Sequence, residues 1–428
     1  MPACVSIPQN TMTLTRRDFL AKGAISSASI ALGANAIAQT AEPMHDPMPD
    51  HAAHNHPKPE KPTVPRLPAI LLRTTGTAGV DAAYEMLKQG DDTLNAALKI
   101  TTTQEDDPND FSAGLGGLPN EEGLVQLDAC CMHGPTRGSA AVGGVSGIRN
   151  ASLLARALME KTGYASLAGA GAQRFAVTQG FSIEDLTTDR TRKIRALWKQ
   201  IQAVPRPLAA TEVYDPNWRG PARQAHFLPA SQQDLDSLVH RFEPLAKQAG
   251  LEPQWTWRAT YDTLFPAATP LCVLAVNEKK EISCAATTSG LPWRMAGANS
   301  DIAMIGAGCY LDPEVGSACA SGNAEANIKI AGAHLIVQSM RDGRSPQDAG
   351  MDALRRIAEW YGNDMTALRF VEILYFILRR DGAYSSVSLW RGDRTGHVQQ
   401  FTIHDGVRRT EECLFLFNGN PPNGLSRG

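Results

Sequence analysis

In the stretch Gly114-Leu-Gly-Gly-Leu-Pro-Asn-Glu-Glu-Gly-Leu-Val-Gln-Leu-Asp-Ala129, glycines punctuate short apolar runs that continue through Val145. Taken singly, Gly114 to Gly117 answer to backbone conformation, because glycine enters positive φ without a Cβ penalty. Regular elements lie on both sides. Upstream, Ala69-Ile-Leu-Leu72 reads as a buried strand and Thr74-Thr-Gly-Thr-Ala-Gly79 as the loop after it. Val80, Ala83, Tyr84 and Leu87 then fall on one face of a helix that ends near Gly90, and Leu94, Ala97 and Leu98 on a second. Downstream, Ser152 is the expected cap of a helix carrying Leu154, Ala155, Leu158 and Met159.

Residues 190–260 break this rhythm. Pro205, Pro207, Pro216, Trp218, Pro221, Pro229, Pro253, Trp255 and Trp257 stand among few periodic runs, which predicts a long surface insertion with one helix over residues 235–247. Leu271–Val276 and Ile282–Thr288, joined by the charged Glu278-Lys-Lys-Glu281, predict a hairpin. A helix over residues 324–340 should end at Gly343. Ser345-Pro-Gln-Asp348 opens another, with a capping serine and proline at the first helical position. Strands return over 371–378, 384–390 and 398–404, the first two around Asp381-Gly382. Such blocks can bury two sheets under outer helices, although pattern alone supports only a mixed α and β chain.

A chain of 428 residues, 43% hydrophobic and 20% charged, can bury one large core or two modest ones. Its net charge of −3 supplies no field for a nucleic-acid partner or an anionic membrane. Nothing approaches the roughly 18 consecutive apolar residues of a spanning helix. Thr15-Arg-Arg-Asp-Phe-Leu20, a mildly apolar run and Ala36-Ile-Ala38 read as a twin-arginine leader over residues 1–38, implying a periplasmic or exported protein. Residues 39–67 are rich in His, Pro and Met and read as a disordered tether. His45, His51, His54 and His56 with Met44 and Met48 could hold copper, nickel or zinc loosely, but a solvated linker is the preferred reading. The body then runs from 68 to 428. Beyond the leader stand seven cysteines, scattered and without a Cys-x-x-Cys pair, so neither a disulfide framework nor structural zinc is expected. Glu105, Asp106, Asp107 and Asp110 read as a solvated acidic loop.

In order and spacing, the Gly114 stretch, Leu158-Met-Glu-Lys-Thr162, Thr287-Thr-Ser-Gly290 and Ile305-Gly-Ala-Gly308 resemble the glycosylasparaginase and isoaspartyl peptidase/asparaginase family. That family is a branch of the N-terminal nucleophile hydrolases. The resemblance covers residues 68–342 with the insertion left out. It implies an α+β fold, a four-layer αββα sandwich, without cofactor or metal. It also implies a small-molecule substrate, an asparagine or β-aspartyl derivative, and a homodimer. The chain would cut itself before a threonine, whose freed α-amine, with a pKa near 8, takes the side-chain proton. Thr288 matches the threonine that supports this amine, Asp301 the aspartate that binds the substrate's α-amino group, and Ser321-Gly322 the oxyanion pair.

Several matching positions are changed. The expected His-Asp-Thr reads Tyr261-Asp-Thr263, about seven residues before the strand. Counting back from Thr288 without a gap puts Pro270 in the nucleophile's slot, with Thr269 beside it. Either an insertion displaces the strand start, so that Thr263 or Thr269 serves, or the nucleophile is gone and the chain binds a ligand without cutting itself. Ala298 stands where an arginine should grip the substrate's α-carboxylate, with Arg294 nearby. Arg73-Thr-Thr75 replaces the early tryptophan of the pocket. Each match also has a plain reading: Thr287 and Thr288 as β-branched strand residues, Asp301 as a turn cap.

Overall fold

Unbroken burial of Ala69 to Leu72 along β1 (Ala69–Arg73) sets out the architecture. Ile70 and Leu72 join one apolar cluster, while Ala69 and Leu71 join another on the opposite face. The same division runs through β2 (Gln126–His133), where Leu127, Ala129 and Cys131 face one way and Cys130 and Met132 the other. Side chains in a strand alternate between faces, so both faces of this sheet are covered. Residues 66–73, 78–204, 232–421 and 424–425 are described by the structure, a computed structural model. The expected leader, the first 26 residues of the linker reading (39–64) with Pro65, most of the Thr74–Gly79 loop and residues 205–231 of the insertion lie outside them.

The remaining strands are β3 (Gly138–Ser146), β4 (Ser166–Ala168), β5 (Leu271–Val276), β6 (Ile282–Thr288) and β7 (Cys309–Asp312). After them come β8 (Gly316–Gly322), β9 (Ile373–Arg379), β10 (Tyr384–Trp390), β11 (Gln400–His404), β12 (Arg408–Glu412) and β13 (Leu414–Phe417). Eight make one sheet in the order β12-β11-β1-β5-β6-β2-β3-β4, and five make another in the order β13-β10-β9-β8-β7. The chain is therefore mixed α and β with two principal sheets. One apolar cluster joins Leu71, Cys272, Leu274 and Cys284 of the large sheet to Cys319, Leu374, Phe376 and Leu378 of the small one. A second packs the large sheet's other face with Val80, Leu94, Leu98 and Leu154 from helices Val80–Lys88, Thr93–Glu105 and Ala151–Lys161. A third packs Tyr375, Ile377 and Val387 with Ile336, Leu354 and Ile357 from helices Gly332–Arg341 and Pro346–Trp360.

The expected β1, the helices after it, the β5–β6 hairpin and the Ser345-capped helix stand where the periodicity puts them. Four local readings are corrected. Ser152 is not a cap, since Asn150 holds that position and the Ser152 hydroxyl turns inward to Glu105. The single helix expected over 324–340 breaks at Ala331, which adopts φ 50°, and restarts at Gly332 beside the hydrogen-bonded pair Asn327 and Tyr375. The insertion holds three helices among the described residues, Asp189–Ala203, Gln232–Gln248 and Pro253–Leu264, rather than one. Ile194, Leu197, Ile201, Val239, Phe242, Leu264 and Phe265 give it an apolar cluster of its own, closed against Leu118 and Trp293. Charged residues between Ile194, Leu197 and Ile201 masked the helical spacing, and Pro253 sits at a helix start, where proline is tolerated. Glu105 is not a loop residue: it ends its helix and is wholly buried.

Candidate functional site

The hairpin register builds the site. Leu271 pairs with Thr287, so one further step sets Pro270 opposite Thr288. On its other side, Thr288 pairs with Asp128 of β2. Pro270, Thr288 and Asp128 thus lie in a row across three neighbouring strands, all on the face turned toward the second sheet. The sulfur of Cys272 donates to the carbonyl of Ala320 at 3.1 Å, which holds the start of β5 against the end of β8, where Ser321 and Gly322 stand. Arg73, at the end of β1, donates from its guanidinium to the Ser321 hydroxyl. A serine oxygen that accepts there keeps its own proton for another partner.

Asp128 is wholly buried and saturated with donors. It accepts from the amides of Gly144 (2.7 Å) and Ser300 (2.8 Å) and from Arg294 Nη1 (2.7 Å). Arg294 also donates from Nη2 to the Gln126 carbonyl at 2.9 Å. Its loop does turn inward, but the guanidinium is committed to Asp128 and does not replace the arginine missing at Ala298. Gly290 makes this approach feasible: it adopts φ 73°, and a Cβ there would lie 2.1 Å from Arg294 Nη1. The Gly290 amide donates to the Thr288 hydroxyl oxygen at 2.9 Å, closing the Thr-Thr-Ser-Gly turn. Gly114 has a comparable reason to be glycine, with φ 59° and a would-be Cβ only 2.0 Å from the Glu105 carbonyl oxygen.

Asp301 follows Ser300 and is buried. Its carboxylate accepts from Asn327 Nδ2 at 2.6 Å, and Asn327 in turn accepts from the Tyr375 hydroxyl at 2.8 Å. Burial outweighs that hydrogen bond and pushes the Asp301 carboxyl up to about 7. The opposite face of β6 buries a second carboxyl. Glu105 accepts from the Thr287 hydroxyl (2.6 Å), the Ser152 amide (2.9 Å) and the Ser152 hydroxyl (2.7 Å), and burial raises it to about 7.

Of the candidate residues, Thr288, Asp301, Ser321 and Gly322 gather around this end of the two sheets. The threonines separate. Thr263 is buried in helix Pro253–Leu264, where its hydroxyl donates to the Ala259 carbonyl at 2.7 Å. Thr269 is half-buried in the extended segment that leads directly into Pro270 and β5. Sequence reasoning missed the charged wall beside Arg73. Glu372 accepts there from Arg394 Nε (3.1 Å) and from Gln399 Nε2 (2.8 Å). No local signal pointed to this set, whose members meet only because β9 and the 391–399 loop converge. No helix among the described residues is long and apolar enough to cross a membrane.

The family described as Asparaginase matches residues 72–369. An N(4)-(β-N-acetylglucosaminyl)-L-asparaginase of Elizabethkingia miricola is 29% identical over 400 residues, 93% of this chain and 94% of that protein. An isoaspartyl peptidase/L-asparaginase of Xenopus laevis is 30% identical over 66% of this chain and 77% of its own length. The rat N(4)-(β-N-acetylglucosaminyl)-L-asparaginase is 27% identical over 69% of this chain and 78% of its own.

Proposed function

The chain belongs to the asparaginase family, and from that premise we propose that it is an exported amidohydrolase. Its substrate is the side-chain amide of an asparagine or β-aspartyl derivative, and Thr269 is the nucleophile, released by cleavage of the Ala268–Thr269 bond. The observation that supports this reading is the register that sets Pro270 opposite Thr288, so that Thr269 is the residue immediately before the paired strand, near the end of β8 that carries Ser321. Thr263 is the weaker candidate, because its hydroxyl is spent on the Ala259 carbonyl inside a helix. The fold that goes with this function is the four-layer αββα sandwich, supported by one apolar cluster between the sheets and one outside each.

In the proposed reaction, the freed Thr269 amine takes the proton from its own hydroxyl, the oxygen attacks the amide carbonyl, and the C–N bond breaks as that proton passes to the departing nitrogen, which leaves as ammonia or an amine. The Ser321 hydroxyl, its oxygen already occupied by Arg73, donates to the developing oxyanion together with the backbone at Gly322, and the Arg73 charge favours the same oxyanion. The acyl-enzyme then yields to water, releasing the aspartyl product. Asp301 receives the substrate's amino group, which it binds best when ionised, so above about pH 7. With Ala298 in the arginine's place and Arg294 bound to Asp128, the substrate's α-carboxylate meets no guanidinium on that side. A β-aspartyl or amide compound without that free carboxylate fits better than the N-glycosyl asparagine named for the relatives. The twin-arginine reading makes the enzyme periplasmic, and pairing into a homodimer is carried by family analogy alone.

Pro270 favours a second reading. A proline at the strand start has neither a nucleophilic side chain nor a primary amine, so an uncut chain would bind its ligand in the same cleft without hydrolysis. Intact mass of the mature protein separates the two: fragments joined at residues 268 and 269 support the hydrolase, and one persistent chain supports the binding protein.

A further inference from the structure

Scattered along the chain, the cysteines converge in the fold. Cys130, Cys272, Cys284, Cys309, Cys319 and Cys413 lie in the apolar cluster between the sheets, whereas Cys131 points to the helix side. All are free thiols. Cys309 and Cys319 face each other across β7 and β8 of the small sheet, and Cys284 reaches them from β6 of the large one. The three sulfurs lie within 4.8 Å of one another. The Cys309 thiol donates to Cys284 Sγ at 3.3 Å.

As packing units, thiols only fill volume, and alanine already does so at Ala286 in the same cluster. Three strands from two sheets that aim sulfur at one point supply something more specific, a donor set made of sulfur alone. Hard cations need oxygen ligands, which are absent from this group. Structural zinc takes four ligands, and among the described residues only these three sulfurs lie within 4.8 Å of one another, Cys130 reaching Cys309 and Cys272 reaching Cys319 without joining the group. Soft thiolates in low number suit copper(I). We propose that Cys284, Cys309 and Cys319 form a buried site for one copper(I) ion. Binding exchanges two thiol protons for the cation while the third thiol stays neutral, so the filled site holds a single negative charge. Two sequence features agree with this. Residues 41–66 carry Met44, Met48, His45, His51, His54 and His56, donors that copper accepts. A leader that exports folded protein would let a site sealed between sheets be loaded first.

The test uses the full chain, purified without oxygen and titrated with copper(I) held by bicinchoninate. One copper per chain should withstand the competitor, and X-ray absorption of that unsubstituted protein should show sulfur ligands only. Deleting residues 41–66 should leave this copper in place, and Cys131→Ala should not disturb it. Cys309→Ser and Cys319→Ala, each checked for folding by circular dichroism, should weaken binding on the order of 100-fold. Loss of all copper with the 41–66 deletion would overturn the proposal, as would nitrogen or oxygen ligands, or zinc taken in preference. A mass short by two hydrogens, marking a Cys284–Cys309 disulfide in the metal's place, would overturn it too.

Discussion

Strand β6 buries polar groups on both faces by different means. Toward the helices, Thr287 binds Glu105, which Ser152 completes, and among the described residues that carboxyl has no cation. Toward the second sheet, Thr288 neighbours Asp128, whose charge is met by Arg294 and two backbone amides. The first arrangement is a closed set of hydroxyls that holds helix to sheet. The second holds a buried charge between one guanidinium and two backbone amides. One residue along a strand therefore separates a carboxyl met only by hydroxyls and an amide from one met by a guanidinium, because side chains alternate.

The sharpest way to break this contrast is at the end where the proposed nucleophile stands. Thr269→Ala should abolish chain cleavage and amide hydrolysis together, whereas Thr263→Ala should leave both, read by electrophoresis and ammonia release. Arg294→Met should cost about 3–5 kcal/mol in urea denaturation, since it strands a buried carboxylate. Gly290→Ala should cost less, about 1–3 kcal/mol, by forcing a Cβ toward Arg294 at a positive φ.

The helix-facing side has a pH signature instead. Glu105 titrates near 7 when folded, against an ordinary 4.5. Its ionisation cost is absent below about pH 4.5, grows as pH rises and is complete above about 7, where it reaches roughly 3 kcal/mol. Glu105→Gln should remove this loss, so that the variant gains on the parent as pH climbs through that window in parallel denaturation series. Asp301 contributes with the same sign, and Asp301→Asn should flatten what slope is left.

Much of this was legible beforehand. Continuous apolar runs placed β1 and the β5–β6 hairpin, and the ungapped count from Thr288 singled out Pro270, which the register sets one step before Leu271. Glu105 was misread because helix ends and acidic loops look alike in composition; Thr287 and Ser152, which enclose its carboxyl, and Gly114, which packs on its carbonyl, are all distant in sequence or unmarked by local pattern. The Arg294–Asp128 pair was out of reach for another reason. It joins residues 166 apart in the chain, and neither has a local pattern that names the other. The insertion's helices escaped because their apolar positions are sparse and serve a cluster of their own.

The central claim is that the segment entering β5 carries the nucleophile at Thr269, and intact mass spectrometry of the purified mature protein tests it most directly. The account predicts two chains, the second beginning at Thr269. A single uncut chain after prolonged incubation, or a second chain beginning at Thr263, would contradict it.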